Sequence, residues 1–266
     1  MKKQDMLTVI GLIVAWALVI IGMLAGGNIA IFLDSASFAI TIGGSVGALL
    51  VSYPAREIKR LTKVIIEAFK ENNISKLEIV NLFTELSKKA RREGLLSMED
   101  DIANIEDPFT RKALGMVVDG IEADSIKEIM NLEIAELEKR HSEGTAMLKS
   151  LAAYGPAFGM CGTLIGLIQM LSNMTDSANL TKGMGAALIT TFYGSLLANL
   201  IAIPLAQKLD GKTEQEVNCM EMIVEGVLAI QSGVNPRVIE DKLAAYLSPQ
   251  EKQQLSTASG EVAQNV

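Results

Sequence analysis

The sequence predicts an all-α integral membrane protein with four transmembrane helices and a helical domain outside the bilayer. Hydrophobic residues make up 49% of the 266 positions and the mean hydropathy is +0.31, which belongs to the membrane class and not to a soluble enzyme core. Four apolar runs, Met6–Leu24, Ile29–Ser52, Leu148–Met174 and Gly183–Gln207, each come close to the roughly 20 residues that a spanning helix needs. The long polar stretch between the second and third runs keeps apolar residues at three-to-four spacing, the period of amphipathic helices.

The first run, preceded by Met1, Lys2 and Lys3, is apolar all round and lacks a small-residue cleavage site, so it reads as a retained, lipid-facing helix. The second carries Gly43, Gly44 and Gly47, small positions that let another helix approach. Lys and Arg gather at one end of every run: Lys2 and Lys3, then Arg56, Lys59, Arg60 and Lys63, then Lys149, then Lys208 and Lys212. By the positive-inside rule these ends and both termini are cytoplasmic, leaving only two short outer connections, 26–34 and 175–182.

Pro54 ends the second run. Ser75 with Glu78, and Ser125 with Glu128, have the spacing of capping boxes and predict two helix starts; Gly94 predicts a helix end. Around Gly94 a basic cluster (Lys88, Lys89, Arg91, Arg92) meets an acidic one (Glu93, Glu99, Asp100, Asp101), which by spacing alone reads as a solvated face, with a docking surface as the alternative. In the third run Ala152, Gly155, Gly159, Gly162, Gly166, Gln169 and Asn173 share one face, a small and polar stripe that faces protein or a pore. Pro156 lies within that helix and removes a backbone donor. The fourth run aligns Thr191, Ser195 and Asn199 behind Ala187. Amphipathic helices follow, with Asn235 as cap and Pro236 at a first helical position, and the polar tail after Ser248 reads as disordered. The organisation is therefore an N-terminal hairpin (1–53), a cytoplasmic helical domain (54–147), a second hairpin (148–207), C-terminal cytoplasmic helices (208–247) and a tail (248–266).

Chemistry is bounded by what these segments lack. No nucleophile elbow, phosphate-cradling glycine loop or metal-spaced His and Cys cluster occurs, so the chain reads as non-enzymatic, with no cofactor and no metal site. Cys161 and Cys219 fall in different compartments, and His141 is a lone histidine among charges. A net charge of −7 argues against nucleic acid as a partner. No run contains Asp, Glu, Lys, Arg or His away from its ends, although ion carriers normally rely on such groups. A titrating carboxylate for ion movement must then come from a partner.

Taken together, the two-plus-two helix arrangement, KKARREGLLSMEDD in the insert, YGPAFGMCGTLIGLIQML, ALITTFYGSLLAN and the late SGVNPRVIEDKL resemble the MotA/PomA family of flagellar stator proteins over most of the chain. GTLIG and TTFYG are also similar to the ExbB/TolQ energisers, which usually have three membrane helices. The stator resemblance implies a ring of five copies around the single-span helices of two MotB/PomB-type, peptidoglycan-anchored subunits. The partner's aspartate would carry Na⁺ or H⁺, and cytoplasmic charges would push on the rotor protein FliG. Residue by residue it implies that Arg91 and Glu99 contact the rotor, that Pro156 and Pro236 are functionally sensitive, and that Thr191 lies on the ion path. Thr163 and Thr190 join it as further hydroxyl oxygens, a set that leans towards Na⁺, because a hard cation accepts oxygen ligands whereas a proton needs only a carboxylate. Gly159 and Gly166 are expected to face the partner helix. The alternatives are an ExbB/TolQ-type ion-powered energiser and a helical scaffold without ion flux.

Overall fold

The computed structural model describes residues 5–70, 75–172 and 177–264, with side chains as far as residue 256 except at 177–179; Lys2, Lys3, Asn173, Thr175 and Asp176 lie outside the described residues. Among those described there is no strand. The chain forms two compact units, Met1–Asn72 with Arg140–Lys212, and Asn73–Lys139 with Thr213–Val266.

The first unit opens with α1 (Met6–Ala25), whose N-cap Asp5 accepts from the backbone of Thr8, and not one of its residues is buried within the chain. After a 3₁₀ turn at Ile29–Phe32, the second apolar run is built from α2 (Ser35–Phe38), a π-helical segment (Ala39–Gly43) and α3 (Gly44–Ser52). Pro54 stands at the cap of α4 (Ala55–Ala68) and gives the next helix a fresh start. Leu61, Val64 and Ile65 of α4 pack on a small core of Ala68, Leu148, Leu205, Ala206 and Leu209. The sequence reading put α4 with the insert; its apolar stripe instead finds the ends of the third and fourth runs, so it belongs to the membrane-spanning unit.

In the second unit α5 (Lys76–Glu93) starts at Ser75, which accepts from the Glu78 amide at 3.3 Å as its capping box predicts. It ends at Gly94, whose φ of 89° is a conformation that disfavours any side chain. A 3₁₀ turn (Leu95–Met98), α6 (Glu99–Ala103) and α7 (Pro108–Val118, capped by Asp107) follow.

The long helix α8 (Ala123–Ser172) then runs for 50 residues without a break, its first turns in the second unit and the remainder in the first. Ser125 is not its cap, because the helix is already under way at Ala123 and Ser125 is its third residue. The third run is therefore the last part of a helix that begins far outside it. The fourth run behaves likewise: α9 (Ser177–Leu196), a π-helical segment (Leu197–Ala202) and α10 (Ile203–Gln231) are continuous. Finally α11 (Pro236–Ala244) is capped by Asn235, which accepts from the Arg237 amide at 3.1 Å. Helix α12 (Pro249–Gln264) replaces the expected disorder: Pro249 occupies its first position, and Ser248 and Glu251 exchange bonds with each other's backbone amides, a capping box that composition alone does not register.

The second unit is closed by a core that includes Phe83, Met98, Leu114, Ile126, Met130, Met222, Ile239 and Leu243. Its tightest point is Gly226, where an added methyl would stand 2.7 Å from the Phe83 ring.

Candidate functional site

Among the described residues, helices long and apolar enough to cross a membrane number four, beginning at Met6, Ile29, Ala123 and Leu180. The last two form an antiparallel hairpin whose seam is the small-residue stripe. A methyl built on Gly155 would meet the Gly194 carbonyl at 2.9 Å; one on Gly159 would meet the Thr190 carbonyl at 3.1 Å. On Gly162 it would collide with the Thr190 side chain at 2.4 Å, and on Gly166 with the Gly183 carbonyl at 2.6 Å. Gly155, Gly159, Gly162 and Gly166 are all buried against α9 of the same chain. The expectation that Gly159 and Gly166 face a partner is corrected: periodicity identifies a face made for close approach without saying which helix approaches, and here it is α9. Pro156, next to Gly155 in this seam, is exposed; lacking an N–H, it leaves the Ala152 carbonyl without its helical donor.

A second hydroxyl-bearing face holds α2 and the π segment to α9. Ser37, Thr41 and Ser45, one turn apart, are buried. Ser37 Oγ donates to the Ala186 carbonyl at 3.4 Å and Thr41 Oγ1 to the Thr190 carbonyl at 3.2 Å, while Ser45 Oγ donates back to Thr41 O at 2.6 Å. Gly44 receives the Phe158 ring, at 2.4 Å from an added methyl; Gly43 and Gly47 meet nothing within 4 Å. Tyr193 ties α9 to the connection before α2: its hydroxyl donates to Phe32 O at 2.5 Å and accepts from Asp34 N at 3.2 Å, with its ring edge-on to Phe38.

These packings sort the three threonines. Thr190 is 1% exposed, wedged at Gly162, and its hydroxyl donates to its own helix at Ala186 O and Ala187 O, 3.0 and 2.9 Å away. It does not join the other two, because adjacent residues on a helix point about 100° apart. Thr163 and Thr191 do meet: their Oγ1 atoms lie 2.9 Å apart, Thr163 Oγ1 is 2.9 Å from Gly159 O, and Thr191 Oγ1 is 3.4 Å from Ala187 O. Each hydroxyl has one proton and two lone pairs. A chain from Thr191 through Thr163 to Gly159 O uses both protons and leaves lone pairs of both oxygens without a donor. Thr191 is exposed, as are Ser195 and Asn199 on the same face, so those lone pairs open outward from the hairpin. No Asp, Glu, Lys, Arg or His lies near the pair, and no metal-holding cluster occurs among the described residues.

In the second unit, Arg91 in the last turn of α5 and Glu99 at the start of α6 are exposed on either side of Gly94, and neither is ion-paired among the described residues. Lys89, by contrast, pairs with Asp101 at 2.7 Å, and that bond raises its pKa. Pro236 opens α11, whose Ile239 and Leu243 are fully buried. The sequence reading missed Ser37, Thr41, Ser45 and Tyr193. The hydroxyl row at one-turn spacing was a signal in plain sight; for Tyr193 the only signal was a phenol that needs a partner inside an apolar helix.

The geometry defines a membrane subunit with four candidate spanning helices, two of them paired in a glycine-seamed hairpin that presents a pair of hydroxyls with no ionisable side chain beside them. Residues 101–222 match the MotA/TolQ/ExbB proton channel family, and residues 9–94 match the Motility protein A N-terminal model. The chain is 38% identical to Motility protein A of Borreliella burgdorferi, over 97% of its own length and 99% of the relative's. It is 37% identical to the chemotaxis protein PomA of Vibrio alginolyticus, over 92% and 96%. Its fold is similar to the flagellar MotAB stator complex from Bacillus subtilis, with a TM-score of 0.85 and 35% identity, covering 93% of this chain and 98% of that one. The chain belongs to the MotA family of membrane proteins, a family of channel and stator subunits and not of enzymes.

Proposed function

We propose that this chain is the ion-conducting stator subunit of a bacterial flagellar motor and that the ion it passes is Na⁺. In this reading five copies surround a MotB/PomB-type, peptidoglycan-anchored partner in the inner membrane, with both termini cytoplasmic. The partner's carboxylate carries the ion past the hairpin. Arg91 and Glu99 bear on FliG as the ring turns. The ExbB/TolQ alternative is disfavoured by the Motility protein A match over 9–94, which covers the additional N-terminal helices.

The observation that carries the ion reading is the Thr163–Thr191 pair, two oxygens 2.9 Å apart on a stretch of hairpin that has no ionisable side chain beside them. With Thr190 turned into the packing, two protein hydroxyls stand beside the partner's carboxylate as ligands for a hard cation that has shed water. The test is swimming speed against Na⁺ concentration at fixed membrane potential and pH. Speed should saturate with Na⁺ in the wild type, and Thr163→Ala should need roughly tenfold more Na⁺ for half-maximal speed, equivalent to about 1.4 kcal/mol. A speed independent of Na⁺ would return the proton as the driving ion.

A further inference from the structure

Helix α4 carries four cations, Arg56, Lys59, Arg60 and Lys63, that no described anion pairs with, and all four are exposed. They recur at three-to-four spacing, on the side away from the stripe of Leu61, Val64 and Ile65 that packs on the unit's core. Ile66, 57% exposed, extends the same row by one turn. Two other described cations at this end of the spans are ion-paired: Lys149 with Asp210 at 2.7 Å, and Lys208 with Asp5 at 2.5 Å. Among the described residues, Arg56, Lys59, Arg60 and Lys63 therefore form a row of cations without an ion pair on one face of one helix.

Both ends of that helix are fixed at the ends of spanning helices. Only Tyr53 and Pro54 separate its first residue, Ala55, from the end of α3 at Ser52. At its other end Phe69 O accepts from the amide of Asp5, the N-cap of α1, at 2.9 Å. Lys212 Nζ donates to the carbonyls of Glu67, Ala68 and Lys70 and closes the helix end. Tyr53 and Tyr154, the amphipathic rings that favour the headgroup level, stand beside its start, bonded to Ser150 and Ser52 at 2.8 Å. A helix of about 21 Å with both ends at that level lies along the membrane surface and does not run away from it.

From this placement we infer that α4 is a binding site for the headgroups of anionic phospholipids. The four cations supply charge complementarity, Ile66 an apolar contact at the acyl boundary, and the Lys212 clamp a fixed presentation. The inference builds on the membrane-ring reading above, but its test is independent of ion type and orientation. The protein, purified in detergent with its partner, is titrated with short-chain phosphatidylglycerol, with phosphatidylcholine, and with inorganic phosphate, and bound lipid is counted by native mass spectrometry. A basic residue near an anionic surface contributes about 1 kcal/mol. Replacing Lys59, Arg60 and Lys63 by Gln should therefore weaken phosphatidylglycerol binding roughly a hundredfold, and salt should weaken it in the wild type. Should the triple variant not assemble, Lys63→Gln alone should lose about fivefold. Equal binding of both lipids, equal binding of free phosphate, or unchanged binding by the variants would each overturn the inference. Failure of the stator reading would appear separately, as swimming unaffected by loss of this chain.

Discussion

Tyr193 shows what a single residue can contribute inside an apolar helix. Its phenol reaches the connection 161 residues earlier in sequence, donating to Phe32 O and accepting from Asp34 N, while Asp34 itself caps α2 by accepting from Ser37 N at 2.7 Å. Removing the hydroxyl leaves a carbonyl and an amide to find other partners, and a lost bond of this kind is worth about 1–3 kcal/mol when the group left behind is desolvated. Tyr193→Phe should therefore lower the thermal unfolding midpoint of the detergent-purified protein and loosen the connection before α2, seen as faster hydrogen exchange at Asp34. An unchanged midpoint with unchanged exchange would mean that the bond contributes nothing. The contrast with the threonines explains what was legible at this scale. Thr163, Thr190 and Thr191 stood out in the sequence as hydroxyls within apolar runs, but the contact of Thr163 with Thr191 did not, because the register of one helix against another is not a local property. Thr190 could not be separated from Thr191 without knowing which side of α9 faces α2. A phenol's distant partner leaves no local trace at all.

At the scale of elements, the hairpin of α8 and α9 is held by backbone approach more than by side-chain volume. Gly155 and Gly194 each place a virtual methyl within 2.9 Å of the other's carbonyl, and Gly166 and Gly183 do the same within 2.8 Å. Backbone cannot yield as a flexible side chain can, so Gly166→Leu should separate the helices, at a cost above the usual 1–3 kcal/mol of overpacking. The expected result is a fall in the amount of folded chain in membranes, before any question of partner capture arises. Gly47→Ala, where nothing lies within 4 Å, is the control and should be tolerated. Normal membrane levels and normal partner pull-down for Gly166→Leu would contradict the intrachain seam. Composition revealed the four runs and the stripe, since length and small-residue periodicity are local properties. It did not reveal that α8 crosses from polar to apolar sequence without a break, because a helix needs no boundary where hydropathy changes and nothing between Ala123 and Ser172 stops it. Pro156, the one breaker present, sits inside the helix without ending it.

For the whole molecule, the two compact units divide the chemistry between them. The uncharged hydroxyl pair belongs to the first unit, and the exposed charges at Gly94 belong to the second. If the chain converts ion passage into force on a rotor, the two should fail differently. Arg91→Glu removes an exposed positive charge that is not ion-paired among the described residues, so folding and membrane level should be unchanged, since lone surface charges contribute little to stability. Partner recognition should suffer instead, because like charges brought together at an interface repel and misorient the encounter. The expected phenotype is lost swimming at every Na⁺ concentration, with the partner still bound and ion uptake through the complex intact. Reversing the opposed acidic residue on the rotor should restore part of the motion. Thr163→Ala should behave in the opposite way, with swimming recovered as Na⁺ is raised and no response to rotor changes. Combining the two variants separates a serial machine from a shared site: in a serial machine the double variant behaves as Arg91→Glu alone, whatever the Na⁺ concentration. Recovery of the double variant by Na⁺ would show that Arg91 acts on the ion step, and would remove the rotor contact from this reading of the second unit.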